Sequence, residues 1–194
     1  MAGALSAQDQ SLSYSEEIEH FREEYKQDHL KSERSPIKEA DLKDLRFYPP
    51  AEKFQVAASF ERTKGEEPFD LPTYSGITKP FVKYGILKFE LDGQPYQLAV
   101  YQSLRTIRMP QYRNSLFLPF RDLTNDDTTY GGGRYIDLTI QEVEGEAFIL
   151  DFNRCYNPWC CYSDGFNCPI PPTENHLDVA IEAGEKMFAG EKKH

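Results

Sequence analysis

One tight turn with patterned flanks limits this chain more than any other feature. Tyr84–Leu91 and Tyr96–Gln102 stand on either side of Asp92-Gly93. Asp-Gly suits the two-residue primed turns whose twist matches that of paired strands, so a β-hairpin is predicted here. Pro95 lacks a donor and places the start of the second strand at an edge or entry position. Phe54, Val56 and Ala58 alternate with polar residues through Phe54–Phe60, which reads as a further strand. Arg134–Ile140 and Ala147–Phe152, joined near Glu144-Gly145, are expected to form a second hairpin.

Helices are expected at the ends. From Tyr14, Ser15 offers a cap, and Ile18, Phe21, Tyr25 and Leu30 make an apolar stripe among charged residues. Glu16, Glu17 and Glu19 suit the positive end of the helix dipole. The helix should stop before Ser35-Pro36, because the residue before a proline avoids helical geometry. A short second helix is predicted over Lys38–Leu45, and a terminal one over His176–Phe188 with Thr173 and Asn175 as caps. His20 and His29, on the first helix, are expected in solvent. The sum is an α+β fold, an antiparallel sheet or partly open β-barrel flanked by an N-terminal helical segment and a C-terminal helix. Residues 1–13 are expected to be frayed, 14–46 to form a helical strap, and 47–190 to form one β-rich domain.

Charge narrows the partners. At net −10, with no basic stripe beyond Lys192-Lys193, the chain is a poor match for nucleic acid or an anionic membrane. No apolar run approaches the roughly 18–20 residues of a membrane span, so a soluble protein is expected. Aromatic residues make up 13% of the chain, enough to repay the ordering of a core. Ala2–Ala7 resembles the small-residue end of a secretory signal, and with the cysteine cluster it points to an exported origin over a cytoplasmic one.

Leu116–Leu177 holds every cysteine, the single Trp and Gly131-Gly132-Gly133, amid dense Arg, Asp, Asn and Tyr. Glycines without side chains let backbone approach a ligand, and their N–H groups can form an anion nest. A tight turn held by an Arg121–Asp122 or Arg134–Asp pair explains the same residues. The stretch is no P-loop, since it lacks the Lys-Ser/Thr ending and precedes a strand. Asp151, at a strand end, is a candidate base or a turn cap, and Asn153 and Asn157 are candidate ligand-orienting groups or caps. Cys155, Cys160, Cys161 and Cys168 allow a Cys160–Cys168 disulfide, free buried thiols or a zinc site with His176. Their spacing leaves the choice open. Glu174 could point into a pocket with Arg121, Arg134 and Asp151, or serve a helix N-terminus.

LFLPFRDLTN, TYGGGRYIDL, DFNRCYNPWCCY, CPIPPTENHL and IEAGEKM occur in this order, and with them the chain resembles domain-of-unknown-function family 1684 of bacteria and archaea. The resemblance spans about Tyr25 to Met187. Cys155 and Cys161 stand where it leads one to expect small residues, which implies that Cys160 and Cys168 are the meaningful pair. It also implies an exported protein, and it carries no activity.

The residues themselves point first to a binding module for a small anionic or polyhydroxylated ligand. Its pocket would draw on Arg121, Asp122, Tyr130, Gly132, Arg134, Tyr135, Asn153 and Asn175. The alternatives are a hydrolase with Asp151 and Glu174 as an acid–base pair beside Arg134, and a structural latch with partners elsewhere. No cofactor and no metal are expected.

Overall fold

The computed structural model describes residues 12–194. Ala2–Ala7 and most of the expected frayed N-terminus lie outside them. The first helix, α1, spans Tyr14–Lys31 and ends before Ser35-Pro36 as expected. Ser13, and not Ser15, caps it: the Ser13 N–H donates to Glu16 Oε2 at 2.8 Å and the Glu16 N–H returns to Ser13 Oγ at 3.4 Å. Three residues after Ser15 comes Ile18, which cannot reciprocate. The buried stripe is Ile18, Arg22 and His29, with Tyr25 half-buried and Leu30 exposed. His29 is therefore not solvated. Glu39–Asp44 forms a 3₁₀ turn within the span predicted as a second helix.

The strands are β1 (Gln55–Arg62), β2 (Phe69–Pro72), β3 (Thr78–Leu91), β4 (Gln94–Ser103), β5 (Ser115–Phe120), β6 (Arg134–Thr139) and β7 (Phe148–Asp151). All pairings are antiparallel, in the order β6-β5-β4-β3-β1-β7, with β2 beside β3. The Asp92-Gly93 hairpin forms as predicted, and both turn residues take positive φ, 51° and 74°. The second predicted hairpin does not form. Although β6 and β7 are neighbours in sequence, they are the two ends of the sheet, and a single helical turn, α2 (Ile140–Val143), links them. So short a link keeps the ends close, which curls the sheet into a half-barrel.

Inside the curl lies the main core, including Leu87, Leu98, Val100, Leu118, Phe120, Leu150 and Phe152. On the outer face Leu71, Phe81, Ala99 and Tyr101 form a smaller cluster with Phe117 against it. A third cluster, with Ile37, Tyr162 and Phe188, seats the helical strap.

Residues 176–188 are not helical. They run extended: Arg121 bridges His176 in parallel, Phe47 bridges Glu185, and the Leu177 N–H donates to Arg121 O at 2.8 Å. The pattern accounts for this, because Leu177, Val179, Ile181 and Ala183 recur every second residue and lie inward of their exposed neighbours Asp178, Ala180 and Glu182. Thr173–Asn175 forms a 3₁₀ turn before it, so neither Thr173 nor Asn175 caps a terminal helix.

Candidate functional site

The polar tract singled out in the sequence holds the backbone together. Arg134 is fully buried at the start of β6. Its Nη2 donates to Asp122 Oδ2 and Ile181 O at 2.8 Å, and its Nη1 to Ala183 O and Glu185 O. Asp122 Oδ1 meanwhile accepts from the Thr124 and Ile181 N–H groups. Arg134, expected as a catalytic or ligand-binding group, thus has its terminal N–H groups taken up by protein partners and no exposed surface.

Asn175 is likewise buried, and it bridges two strands. Its Oδ1 takes the Ala99 N–H, and its Nδ2 donates to Ala99 O and Pro119 O, at 2.7–2.8 Å. Only Tyr101 and Phe117 pair directly between β4 and β5, and Asn175 fills the ladder where the strands part. The N–H and C=O of a strand residue point the same way, so the donor that Pro119 lacks would have faced this gap. Asn153 exchanges the same kind of paired bonds with Ala51, both at 2.9 Å, and is not open to a ligand.

Asp151 and Glu174 do not form a pair. Asp151 Oδ1 accepts from Tyr14 Oη and the Asn153 N–H, while Glu174 takes Tyr101 Oη and Lys83 Nζ at 2.6 Å. They share neither a partner nor a cavity.

Arg121, Tyr130 and Gly132 do meet, around a cavity of about 610 Å³ with Tyr74 and Lys192. A Cβ on Gly132 would lie 2.2 Å from the Tyr130 ring, so glycine lets that ring close over the turn. Both cations there are already matched, Arg121 by Asp126 at 3.4 Å and Lys192 by Asp164 at 2.6 Å.

Cys160 and Cys168 stand sulfur to sulfur with Cα atoms 6.2 Å apart, the span of a disulfide. Burial pushes the Cys155 thiol up to about 11 and Cys161 to about 12, so neither is a ready nucleophile at neutral pH. Among the described residues no three His, Cys, Asp or Glu side chains converge as metal ligands would.

A larger candidate site lies where no motif in the sequence marks one. A trough of about 970 Å³ runs over the outer face of β3–β6. Arg34 from the turn after α1, Lys79 from β3 and Arg105 from the loop after β4 stand at its rim. Among the described residues none of the three has a carboxylate within 4.0 Å. Partial burial lowers the Lys79 pKa, and the nearby Arg105 and Arg34 charges lower it further. Aromatic rings wall the trough, among them Tyr112, Phe117, Tyr135 and Trp159. Trp159 and Phe166, at 5.1 Å edge to face, flank and belong to the Cys160–Cys168 loop, so that loop forms one wall. Tyr135 is the predicted ligand residue that borders the trough, and its hydroxyl is held by Pro169 O.

Asp137 opens into the trough from β6, with Tyr156 Oη donating to its Oδ2 at 2.8 Å; its surroundings desolvate it enough to raise its pKa. Near Asp137, Glu142, Tyr156 and Trp159 the trough meets a second groove of about 820 Å³. That groove fills the opening of the half-barrel between β6, β7 and α1. A strand-by-strand sequence reading hides these residues, since Lys79, Asp137 and Arg105 each look like an ordinary solvated polar position.

This architecture, an antiparallel half-barrel strapped by an N-terminal helix, has a solved counterpart. The solution NMR structure of an uncharacterised protein of Haloarcula marismortui is similar to it, with 32% identity and a TM-score of 0.63 over 89% of this chain and 97% of that one. The family model described as "Protein of unknown function (DUF1684)" matches residues 40–186, and the chain belongs to that family. No curated protein matches the sequence. Among the described residues no helix is long and apolar enough to cross a membrane.

Proposed function

We propose that the protein is a binding module for a small organic anion, seated in the trough over β3–β6. The observation that carries this reading is the meeting of Arg34, Lys79 and Arg105, without carboxylate partners among the described residues, in a chain of net charge −10. Like charges brought together around half-buried Lys79 repel, and a bound anion relieves that repulsion while gaining charge-assisted hydrogen bonds. The aromatic walls suit the body of such a ligand, which an apolar cavity with a few polar anchors would enclose. The polar tract of Leu116–Leu177 serves as scaffold to this site, and the hydrolase reading loses its support with the separation of Asp151 from Glu174.

Trp159, the single tryptophan, borders the trough and offers a direct signal. Titration with sulfate, phosphate and small carboxylates should change its fluorescence and raise the melting temperature, by about 2.7 kcal/mol of stabilisation at a hundredfold excess over Kd. Lys79→Ala with Arg105→Ala should remove most of the response, since each charged hydrogen bond contributes about 1.5–3 kcal/mol. An unchanged response in the double variant, or no response to any anion, refutes the reading.

A further inference from the structure

The floor of the same trough narrows the chemistry of its occupant. On β5 and β6, Ser115 pairs with Thr139 and Phe117 with Asp137. Tyr101 on β4 pairs with Phe117, so Ser103, two residues on, stands opposite Ser115 in the antiparallel register. Side chains two apart share a face, and all these residues except Tyr101 line the trough. Ser103, Ser115 and Thr139 therefore cross the floor in one row; Thr139 Oγ1 is committed to Glu142 in the cap of α2, which leaves the Ser115 hydroxyl and, beyond one long bond from the Thr106 N–H, that of Ser103 for a ligand. Beside them the Phe117–Asp137 row sets an aromatic ring next to a carboxylate. Tyr156 occupies Asp137 Oδ2, and among the described residues Oδ1 carries no hydrogen bond.

We propose that the occupant is an acidic saccharide, its carboxylate or sulfate at Arg34, Lys79 and Arg105 and its ring hydroxyls at Ser103, Ser115 and Asp137. This rests on the anion-binding reading above. Sugar rings present both things the floor and walls offer partners for: hydroxyls that donate and accept, and flat C–H faces that pack on aromatic rings such as Tyr112 and Trp159. Asp137 is exposed on this floor with Oδ1 open to further donors, and a pyranose supplies them. An alkyl-chain acid would satisfy the cations yet strip water from two serine hydroxyls and a carboxylate with nothing in return. Size argues the same way. Lys79 on β3 and Asp137 on β6 are three strand spacings apart, about 14 Å across the sheet, which one ring does not span and a short oligosaccharide does.

The test measures, by Trp159 fluorescence and calorimetry on the full chain, the affinities of five probes. They are a uronic-acid trisaccharide, a sulfated trisaccharide, a neutral trisaccharide, laurate and inorganic sulfate. One or both acidic trisaccharides should bind at least about tenfold tighter than the neutral one and than laurate, the worth of one charge-assisted contact. Which of them does identifies the acidic group. Asp137→Asn and, as a second variant, Asp137→Ser should each weaken the acidic trisaccharide about tenfold while leaving inorganic sulfate unaffected. Melting curves of both variants in the absence of ligand establish that they are folded. Laurate binding tighter than every saccharide, or trisaccharide affinity indifferent to both Asp137 variants, overturns the saccharide inference and leaves the anion reading standing. Failure of all four anions to bind overturns both.

Discussion

The four terminal N–H bonds of Arg134 are directed at one carboxylate and three carbonyls, all deep in the protein. Replacing it by Met would leave Asp122 charged and buried without its partner, so urea titration should show a loss of about 3–5 kcal/mol. Adding Asp122→Asn should recover part of it, because the stranded charge goes. Asn175→Ala strips partners from Ala99 N–H, Ala99 O and Pro119 O, and should cost at least about 3 kcal/mol, at 1–3 for each of these three groups left unsatisfied. These residues were visible in the sequence as a dense polar tract, and an active site was a fair expectation for them. Irregular backbone explains the same density. Where strands part or the chain leaves the sheet, buried N–H and C=O groups must still be paired, and Arg, Asp and Asn side chains do that work. Side-chain type alone does not distinguish a group that serves the backbone from one that serves a ligand.

Among the elements, those set by neighbours in sequence were readable, and those set by distant partners were not. Asp92-Gly93 dictates its hairpin locally. The link from β6 to β7 contains a good turn, yet each strand finds its partner elsewhere, β6 on β5 and β7 on β1. Leu177–Ala183 carries an alternation of period two that its alanines and acids disguise as a helix. The trough was illegible for a related reason, as its residues come from elements whose adjacency only the sheet order creates. The Cys160–Cys168 loop belongs to this scale too. Serine at Cys160 should lower stability by about 2.5 kcal/mol through the freed loop entropy, and should weaken trough binding because Trp159 and Phe166 lose their frame. Chemical denaturation and the anion titration, each run with and without reductant, check the two effects.

Across the whole molecule, strap and body meet at a buried polar knot. Glu185 accepts from Tyr162 Oη at 2.6 Å, from the Asn157 N–H at 2.8 Å and from Tyr25 Oη at 3.1 Å. His29 packs edge-on against both tyrosine rings. Burial raises the Glu185 pKa from 4.5 to about 7, so folding favours its protonated form. Its contribution is full below pH 4.5 and is lost as the pH rises through 7. Burial lowers His29 from 6.5 to about 4, so its contribution is full above pH 6.5 and is lost as the pH falls through 4. Each spans roughly 3 kcal/mol at 1.36 kcal/mol per unit. Between about pH 4.5 and 6.5 the two slopes oppose, and the native protein should show a nearly flat stability curve. Glu185→Gln should uncover a curve that climbs with pH, and His29→Asn one that falls, both read by urea midpoints across that range.

The acceptors of Arg134 have a consequence for synthesis. Three of them belong to Ile181, Ala183 and Glu185, 47 to 51 residues further along the chain. Every strand of the half-barrel is made while a buried cation at the start of β6 still waits for these carbonyls. Folding of this domain is therefore completed only once residues 181–185 have emerged, and a nascent chain stalled before residue 181 should be a client for chaperones and proteases, not a smaller version of the domain.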